Sequence, residues 1–84
     1  MKTERKKPAS RELVRISEAA KAAGVSTQTV EYYIMLGLIE PLRAPERRGR
    51  FFNASHVKRI RLIRQLNASG YTLRAIRETY LRQR

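Results

Sequence analysis

The fold is decided by Gly24-Val25-Ser26-Thr27-Gln28-Thr29-Val30-Glu31-Tyr32-Tyr33-Ile34-Met35-Leu36-Gly37-Leu38. Gly24 can adopt the positive φ that ends a helix. The Ser26 hydroxyl can begin the next helix, because it can accept from the free N–H two or three residues on. Gly37 ends this second helix after about three turns. A helix entered through a short glycine-containing turn is typical of helix-turn-helix proteins, so the stretch predicts a recognition helix over residues 27–36.

The spacing of apolar residues predicts which face of this helix is buried. Val30, one of the two side chains Tyr33 and Ile34, and Gly37 follow the i, i+3, i+4, i+7 spacing of a core-facing stripe. The outward side chains are then Thr27, Gln28, Glu31 and Tyr32. The first three either contact bases in a groove or form an ordinary solvated face. Tyr32-Tyr33 divides into one buried ring and one exposed hydroxyl, which can donate to a phosphate oxygen.

Composition points to a polyanionic partner. The 84 residues carry 19 Lys+Arg against 7 acidic residues, a formal net charge of +12, and no Asp. Fourteen of the cations are Arg, which suits bidentate contacts to phosphate and guanine better than Lys does. Such an excess indicates nucleic acid, although a soluble protein with a basic surface is the alternative.

The residue types that are missing exclude several other functions. Without Cys there are no disulfides and no thiolate metal sites. With one His and no Asp, we expect no metal, no cofactor and no enzymatic activity. No apolar run approaches the ~18 residues that span a membrane, and no signal peptide is visible. We therefore expect a cytoplasmic protein with no membrane partner.

The chain divides into a tail and one domain. Residues 1–12 are basic and almost free of apolar side chains, which predicts a flexible tail that either follows phosphates or only aids solubility. Residues 13–84 form the domain. Periodicity leaves open whether residues 13–16 are extended or helical. Ser17 is the expected cap of a first helix over residues 18–23.

A hairpin is predicted after the recognition helix. Residues 38–42 have strand-like composition, residues 43–49 are turn-rich and basic, and residues 50–52 return as a second strand. So small a hairpin must pack on helices. Its arginines, which either bind DNA or decorate a solvated loop, are Arg43, Arg47, Arg48 and Arg50.

Two further helices complete the domain. Asn53 caps a third helix over residues 54–69, and Thr72 caps a last one. The apolar stripe of the third helix consists of Val57, Ile60, Ile63 and Leu66, widened by Leu62. The fold class is therefore mainly α: a winged helix-turn-helix of about four helices plus a two-stranded β-hairpin wing.

Taken together, these segments resemble the MerR family of bacterial transcription regulators. The residues that carry the resemblance are Ile16-Ser17-Glu18-Ala19-Ala20-Lys21-Ala22-Ala23-Gly24-Val25-Ser26, Thr29-Val30-Glu31-Tyr32-Tyr33, Gly37-Leu38-Ile39, Arg50-Phe51-Phe52, Val57-Lys58-Arg59-Ile60-Arg61-Leu62-Ile63-Arg64-Gln65-Leu66 and Gly70-Tyr71-Thr72-Leu73-Arg74-Ala75-Ile76. The resemblance implies that helix 27–36 docks in the major groove. It also implies that the hairpin, residues 43–50, touches flanking backbone or minor groove, and that the protein is nucleoid-associated in bacteria.

Three departures from the family pattern matter. Glu31 stands where the family usually has Arg, and it can accept from a cytosine amino group or pair with a nearby Arg. Ile34 replaces a usual Glu. The long dimerisation helix and the effector domain do not follow the matched region. We therefore expect either an isolated DNA-binding domain or a minimal relative that binds DNA as a monomer or by copies side by side, and a homodimer is a further alternative.

We therefore expect sequence-specific binding of double-stranded DNA in transcription regulation. The alternatives are a recombination-directionality (excisionase-like) factor, or a basic protein-interaction module with an acidic partner. Base contacts are assigned to Thr27, Gln28 and Glu31. Backbone contacts are assigned to Ser26, Tyr32, Tyr33, Arg43, Arg47, Arg48, Arg50, Lys58, Arg59 and Arg61.

Overall fold

A computed structural model of the chain describes residues 12–81, and the side chains up to residue 79. All but the last residue of the predicted tail, 1–12, lies outside the described residues. The helices are α1 (Ile16–Ala23), α2 (Thr27–Met35), α3 (Ala54–Ala68) and α4 (Leu73–Ile76), which continues as a π-helical turn (Arg77–Leu81). The strands are β1 (Leu42–Ala44) and β2 (Arg47–Phe51). This is the mainly helical, winged helix-turn-helix arrangement that the sequence predicts.

Helix α1 begins two residues earlier than predicted. Its N-cap is the extended Arg15, which offers no side-chain cap, so the prediction that Ser17 caps this helix is wrong. The reason lies in packing. Including Ile16 gives the helix an apolar face with i, i+3, i+4, i+7 spacing, because Ile16 packs against the core beside the buried Ala19, Ala20 and Ala23.

The turn and the start of α2 are as predicted. Gly24 ends α1 with φ 77°, and its N–H donates to the Lys21 carbonyl at 3.1 Å. The Ser26 hydroxyl accepts from the Thr29 N–H at 3.1 Å and caps α2. The helix ends at Met35, one residue short of the prediction, and Gly37 follows with φ 80°. These two glycines need the left-handed conformation that other residues rarely adopt.

The hairpin differs from its predicted bounds. β1 starts at residue 42, where the prediction had its first strand end, because Leu38 and Ile39 are buried in the core instead. Strand β2 starts at residue 47, so Pro45 and Glu46 alone form the turn. Hence Arg43, Arg47 and Arg48 lie on strands, not in a loop. The two strands are antiparallel, and their register shifts between the Leu42–Phe51 and Ala44–Arg47 pairs.

The segment before α1 is extended. Val14 and Phe52 exchange two backbone hydrogen bonds of 2.8 Å in an isolated antiparallel bridge. This bridge resolves the alternative left open for residues 13–16: the first part is extended and Ile16 is helical. It also ties the end of the hairpin to the entrance of the helix-turn-helix.

Helix α3 is capped at its N-terminus by two reciprocal hydrogen bonds. The Asn53 side chain accepts from the His56 N–H at 3.2 Å, and His56 Nδ1 accepts from the Asn53 N–H at 3.1 Å. The predicted stripe is present, with Ile60 and Ile63 fully buried, but Leu62 is 43% exposed. The prediction that Leu62 widens this stripe is therefore wrong. Adjacent positions on a helix point about 100° apart, so Leu62 is turned away from the direction of the buried Ile63.

The core lies where α1, α2, α3 and α4 meet. It is assembled from small side chains of α1 and larger ones elsewhere, and its fully buried larger members include Val30, Leu38, Phe52, Ile60, Ile63 and Ile76. Thr72 caps α4 as predicted, since its hydroxyl accepts from the Ala75 N–H at 3.0 Å. This packing holds α2 with one face buried and the other open to solvent.

Candidate nucleic-acid interface

The outward face of α2 carries the side chains that the sequence predicts to read bases. Thr27, Gln28 and Glu31 are exposed. Ser26, predicted to touch the DNA backbone, is exposed too, but its hydroxyl already caps the helix. Polar side chains near the N-terminus of such a helix are the ones that reach base edges when it lies in a major groove.

The tyrosine pair divides as predicted. Tyr32 is 47% exposed, whereas Tyr33 is 5% exposed and belongs to the core. Burial raises the pKa of the Tyr33 hydroxyl above its ordinary value of 10.0, against the opposing charge of Arg64. Tyr32 is therefore the ring available to a phosphate, and the burial of Tyr33 argues against the predicted contact by that residue.

Glu31 and Arg50 form a bidentate ion pair. Arg50 Nη1 donates to Glu31 Oε1 at 3.0 Å and Nη2 to Oε2 at 2.7 Å. Hydrogen bonding from the guanidinium, reinforced by its charge, lowers the pKa of the Glu31 carboxyl below its ordinary value of 4.5. The pair joins α2 to β2, so the structure brings together one predicted base contact and one predicted backbone contact. The sequence allows Glu31 two kinds of partner, a cytosine amino group or a nearby Arg, and the pair seen here is with the Arg.

The other wing arginines are engaged to different degrees. Arg47 lies over the Phe51 ring, with its guanidinium carbon 4.4 Å from the ring centre. Arg43 donates to the Gly49 carbonyl at 3.4 Å. Arg48 is exposed, and within residues 12–81 its guanidinium makes no hydrogen bond or ion pair. Among the wing cations, Arg48 is thus the one most free to meet a phosphate.

Sequence reasoning missed Arg15, which supports the wing from the other side. Its Nη1 donates to the Arg48 carbonyl at 3.1 Å, and its guanidinium carbon is 4.7 Å from the centre of the Phe51 ring. It crosses the hairpin at Gly49, where φ is +104° and an added Cβ would lie 2.6 Å from Nη1. The contact spans 33 positions of sequence, so no local pattern could reveal it.

The cations of α3 are only partly placed as predicted. Arg61 donates to the Ala22 carbonyl at 2.9 Å and so satisfies the C-terminal end of α1. Lys58 and Arg61 line a groove beside α1, and Arg59 lines a separate depression beside Glu40. The pocket beside α2 is lined instead by Arg64, together with Thr29 and Tyr32.

Arg64 therefore belongs in the candidate interface, and Lys58, Arg59 and Arg61 are not brought to the outer face of α2. Helical spacing in the sequence could have indicated the position of Arg64, because it follows the buried Ile60 by four residues and so lies on the same side of α3. The predicted backbone contacts of the other three cations stay predictions.

Over residues 12–81 no group of three or more His, Asp or Glu side chains could hold a metal ion. In the same range no helix is long and apolar enough to cross a membrane.

Comparison with known proteins agrees with this architecture. The model of the MerR HTH family of regulatory proteins matches residues 14–83. A heavy metal-dependent transcription regulator of Rhizobium meliloti (strain 1021) is 33% identical over 63 residues, which cover 75% of this chain and 43% of that protein. The mercuric resistance operon regulatory protein of Bacillus cereus is 36% identical over 62 residues, 74% of this chain and 47% of that protein.

A solved structure is similar too. The transcription regulator PbrR691 from Ralstonia metallidurans CH34, crystallised in complex with lead(II), superposes with a TM-score of 0.68 and 34% sequence identity. The match covers 77% of this chain and 49% of that one. The chain thus spans about half the length of the relatives it matches. These relatives are regulators, which agrees with the prediction that this chain is not an enzyme. The chain belongs to the MerR HTH family of regulatory proteins.

Proposed function

We propose that this chain is the part of a transcription regulator that binds specific sequences of double-stranded DNA, with α2 in the major groove and the hairpin on flanking backbone or minor groove. One observation carries the proposal. The exposed face of α2 continues directly into the arginine-bearing strand β2, since Arg50 contacts Glu31. Side chains suited to bases and side chains suited to phosphates therefore form one surface.

The individual roles follow from exposure and partners. Base reading falls to Thr27 and Gln28, which are exposed and near the start of α2. Glu31, the third predicted reader, has both carboxylate oxygens occupied by Arg50. Phosphate contacts fall first to Tyr32 and Arg48, which have exposed polar groups to offer. The remaining predicted backbone contacts are secondary candidates.

Assembly on DNA is part of the same proposal. The matched region covers 43% and 47% of these two relatives, so their full activity and assembly are not carried over. Binding as a homodimer, or by copies side by side, would extend the site beyond one groove. Light scattering with and without a bound duplex, at several concentrations, separates these arrangements from a lone monomer.

Selection from a pool of random duplexes, followed by a salt titration on the selected sequence, tests the proposal. We expect a consensus to emerge and the affinity to fall steeply with ionic strength, with a logarithmic slope of about −0.9 for each phosphate neutralised. Gln28→Ala should relax the consensus at one or two adjacent base pairs and leave the rest unchanged.

Failure to bind any duplex at low salt would contradict the proposal. It would favour the alternative of a basic protein-interaction module with an acidic partner. Binding without any emerging consensus would contradict the sequence-specific part and leave a backbone-binding domain.

A further inference from the structure

We propose that the Glu31–Arg50 ion pair is a clamp that sets the position of the wing relative to the recognition helix, so that Glu31 contributes to DNA recognition by positioning Arg50 and not by reading a base. This inference rests on the proposed function, because it refines how the same surface binds DNA.

The geometry of the pair suits a clamp. Arg50 Nη1 donates to Glu31 Oε1 at 3.0 Å, and Nη2 donates to Oε2 at 2.7 Å. Two parallel charge-assisted hydrogen bonds fix orientation as well as distance, which a single contact cannot do. The two residues are 19 positions apart and stand on different elements. Forming the pair therefore constrains β2 against α2.

The wing needs such a constraint because its other attachments lie elsewhere. The end of the hairpin is tied to the chain entrance by the Val14–Phe52 bridge. Arg15 holds the strand through the Arg48 carbonyl and the Phe51 ring. Both of these attachments come from the segment before α1. Of the hydrogen bonds and ion pairs in residues 12–81, the Glu31–Arg50 contact is the one that joins the wing directly to α2.

The pair also leaves Arg50 able to bind DNA. A guanidinium has five N–H donors, and Glu31 occupies two of them. The three that remain include the fork of Nε–H and the outer Nη2–H, which matches a phosphate oxygen pair. A carboxylate near phosphates would otherwise repel them, and its partner neutralises it. Glu31 thus orients the Arg50 guanidinium towards the DNA backbone, and its own carboxylate does not face the phosphates as a free anion.

The first test measures wing position without any DNA. Residual dipolar couplings of the amides in residues 42–51, compared with those of α2, report the relative orientation of the two elements. We expect Glu31→Gln and Arg50→Gln each to change the couplings of the wing and to leave those of α1 and α3 unchanged. The double variant should add nothing further. Exchanging the pair, Glu31→Arg with Arg50→Glu, should restore the native orientation.

Glu46→Gln is the matched control. It removes the same charge from the turn of the hairpin, but Glu46 makes no ion pair among the described residues. Its wing couplings should equal those of the wild-type protein. Unchanged couplings in Glu31→Gln and Arg50→Gln would overturn the clamp, whatever the protein does with DNA.

The second test measures specificity, as the ratio of Kd for a random-sequence duplex to Kd for the selected one. Glu31→Gln and Arg50→Gln should each lower this ratio by about two- to fivefold, the range expected of an exposed ion pair. The double variant should lower it no further, because both changes release the same contact. The base preferences of Glu31→Gln should keep the wild-type pattern at every position.

The outcomes separate the clamp from the proposed function. If Glu31→Gln relaxes one base pair, and its effect adds to that of Arg50→Gln, Glu31 reads a base and the clamp is wrong while DNA binding stands. If no duplex binds although the couplings respond as expected, the clamp exists in the free protein but its role in recognition is refuted together with the proposed function.

Discussion

Single residues in the wing take their roles from distant partners. Arg15, Arg47 and Phe51 form a small cluster in which two guanidinium groups lie within 5 Å of one buried ring. An aromatic ring held this way is shielded from water by the arginine stems as well as by apolar groups. Arg50 is held by a carboxylate instead. Each arginine of the wing therefore has its own environment, although the sequence presents them as one basic run.

The Glu31 carboxyl should titrate below the ordinary value of 4.5, and Arg50→Gln should return its pKa toward that value. A carboxyl whose pKa is lowered by folding stabilises the folded state above its unfolded pKa, and this contribution disappears as the pH falls through the folded pKa. Carbon-13 chemical shifts of the side-chain carboxyl, followed with pH, measure the midpoint.

Arg43→Gln is the control for this titration, because Arg43 contacts the Gly49 carbonyl and not Glu31. The midpoint of Glu31 should be the same in this variant as in the wild-type protein. An equal shift in both variants would mean that general wing charge, and not the ion pair, lowers the pKa.

Gly49→Ala should destabilise the protein more than Gly70→Ala does. Both glycines have φ above +100°, but the added Cβ meets Arg15 Nη1 at 2.6 Å only at position 49, whereas nothing lies within 4 Å at Gly70. Backbone strain of about 1–3 kcal/mol is expected at both sites. Displacing Arg15 from the Arg48 carbonyl adds about 1 kcal/mol at Gly49.

Urea unfolding monitored by circular dichroism gives both free energies of unfolding. In an Arg15→Ala background the difference between the two glycine variants should vanish, because the displaced side chain is no longer there. A difference that persists would show that backbone strain alone distinguishes Gly49.

Elements begin and end where local chemistry dictates, except where packing overrides it. The caps of α2, α3 and α4 were predictable, because Ser26, Asn53 and Thr72 each accept from an N–H three residues on. The start of α1 was not, since burial of Ile16 outweighed the capping preference of Ser17.

The bounds of the hairpin and parts of the site also escaped prediction, for a physical reason. Strand-like composition at residues 38–42 reflects burial of Leu38 and Ile39 in the core and not pairing in a sheet. The outward face of α2 was predictable from the helical spacing of its core-facing residues. The positions of Arg15, Arg64 and the Glu31–Arg50 pair depend on how elements pack, and no local pattern encodes that.

At the scale of the wing, Arg48→Ala should weaken binding to selected and random duplexes by a similar factor. The Arg48 guanidinium has no partner among the described residues, so it is free to neutralise a phosphate. Its removal should therefore reduce the salt slope, which is the slope of log affinity against log salt concentration, by about 0.9. Fluorescence anisotropy at several salt concentrations measures both quantities.

Arg43→Ala is the matched variant on the neighbouring strand, because Arg43 already donates to the Gly49 carbonyl. Its effect on the salt slope should be smaller than that of Arg48→Ala. Equal slopes for both variants would show that intramolecular contacts do not decide which wing cations reach the DNA.

The whole molecule holds its surface together through one small core. The described residues extend 41 × 31 × 25 Å, and side chains from all four helices share a single buried cluster with Phe52, which directly follows β2. Helix α2 and the hairpin are therefore not independently stable. A small domain of this kind has about 5–15 kcal/mol of stability, so one core substitution takes a large share of it.

The dependence of the surface on this core can be tested at two neighbouring residues, Ile63 and Leu62. Ile63 is fully buried and Leu62 is 43% exposed, so Ile63→Ala should lower the free energy of unfolding by about 2–5 kcal/mol and Leu62→Ala by well under half as much. Because DNA binds only the folded state, Ile63→Ala should keep the wild-type Kd at low temperature and lose affinity once unfolding begins. Kd measured from 5 to about 45 °C beside thermal unfolding checks this. An equal loss of stability in both variants would mean that α3 is rotated from the orientation described.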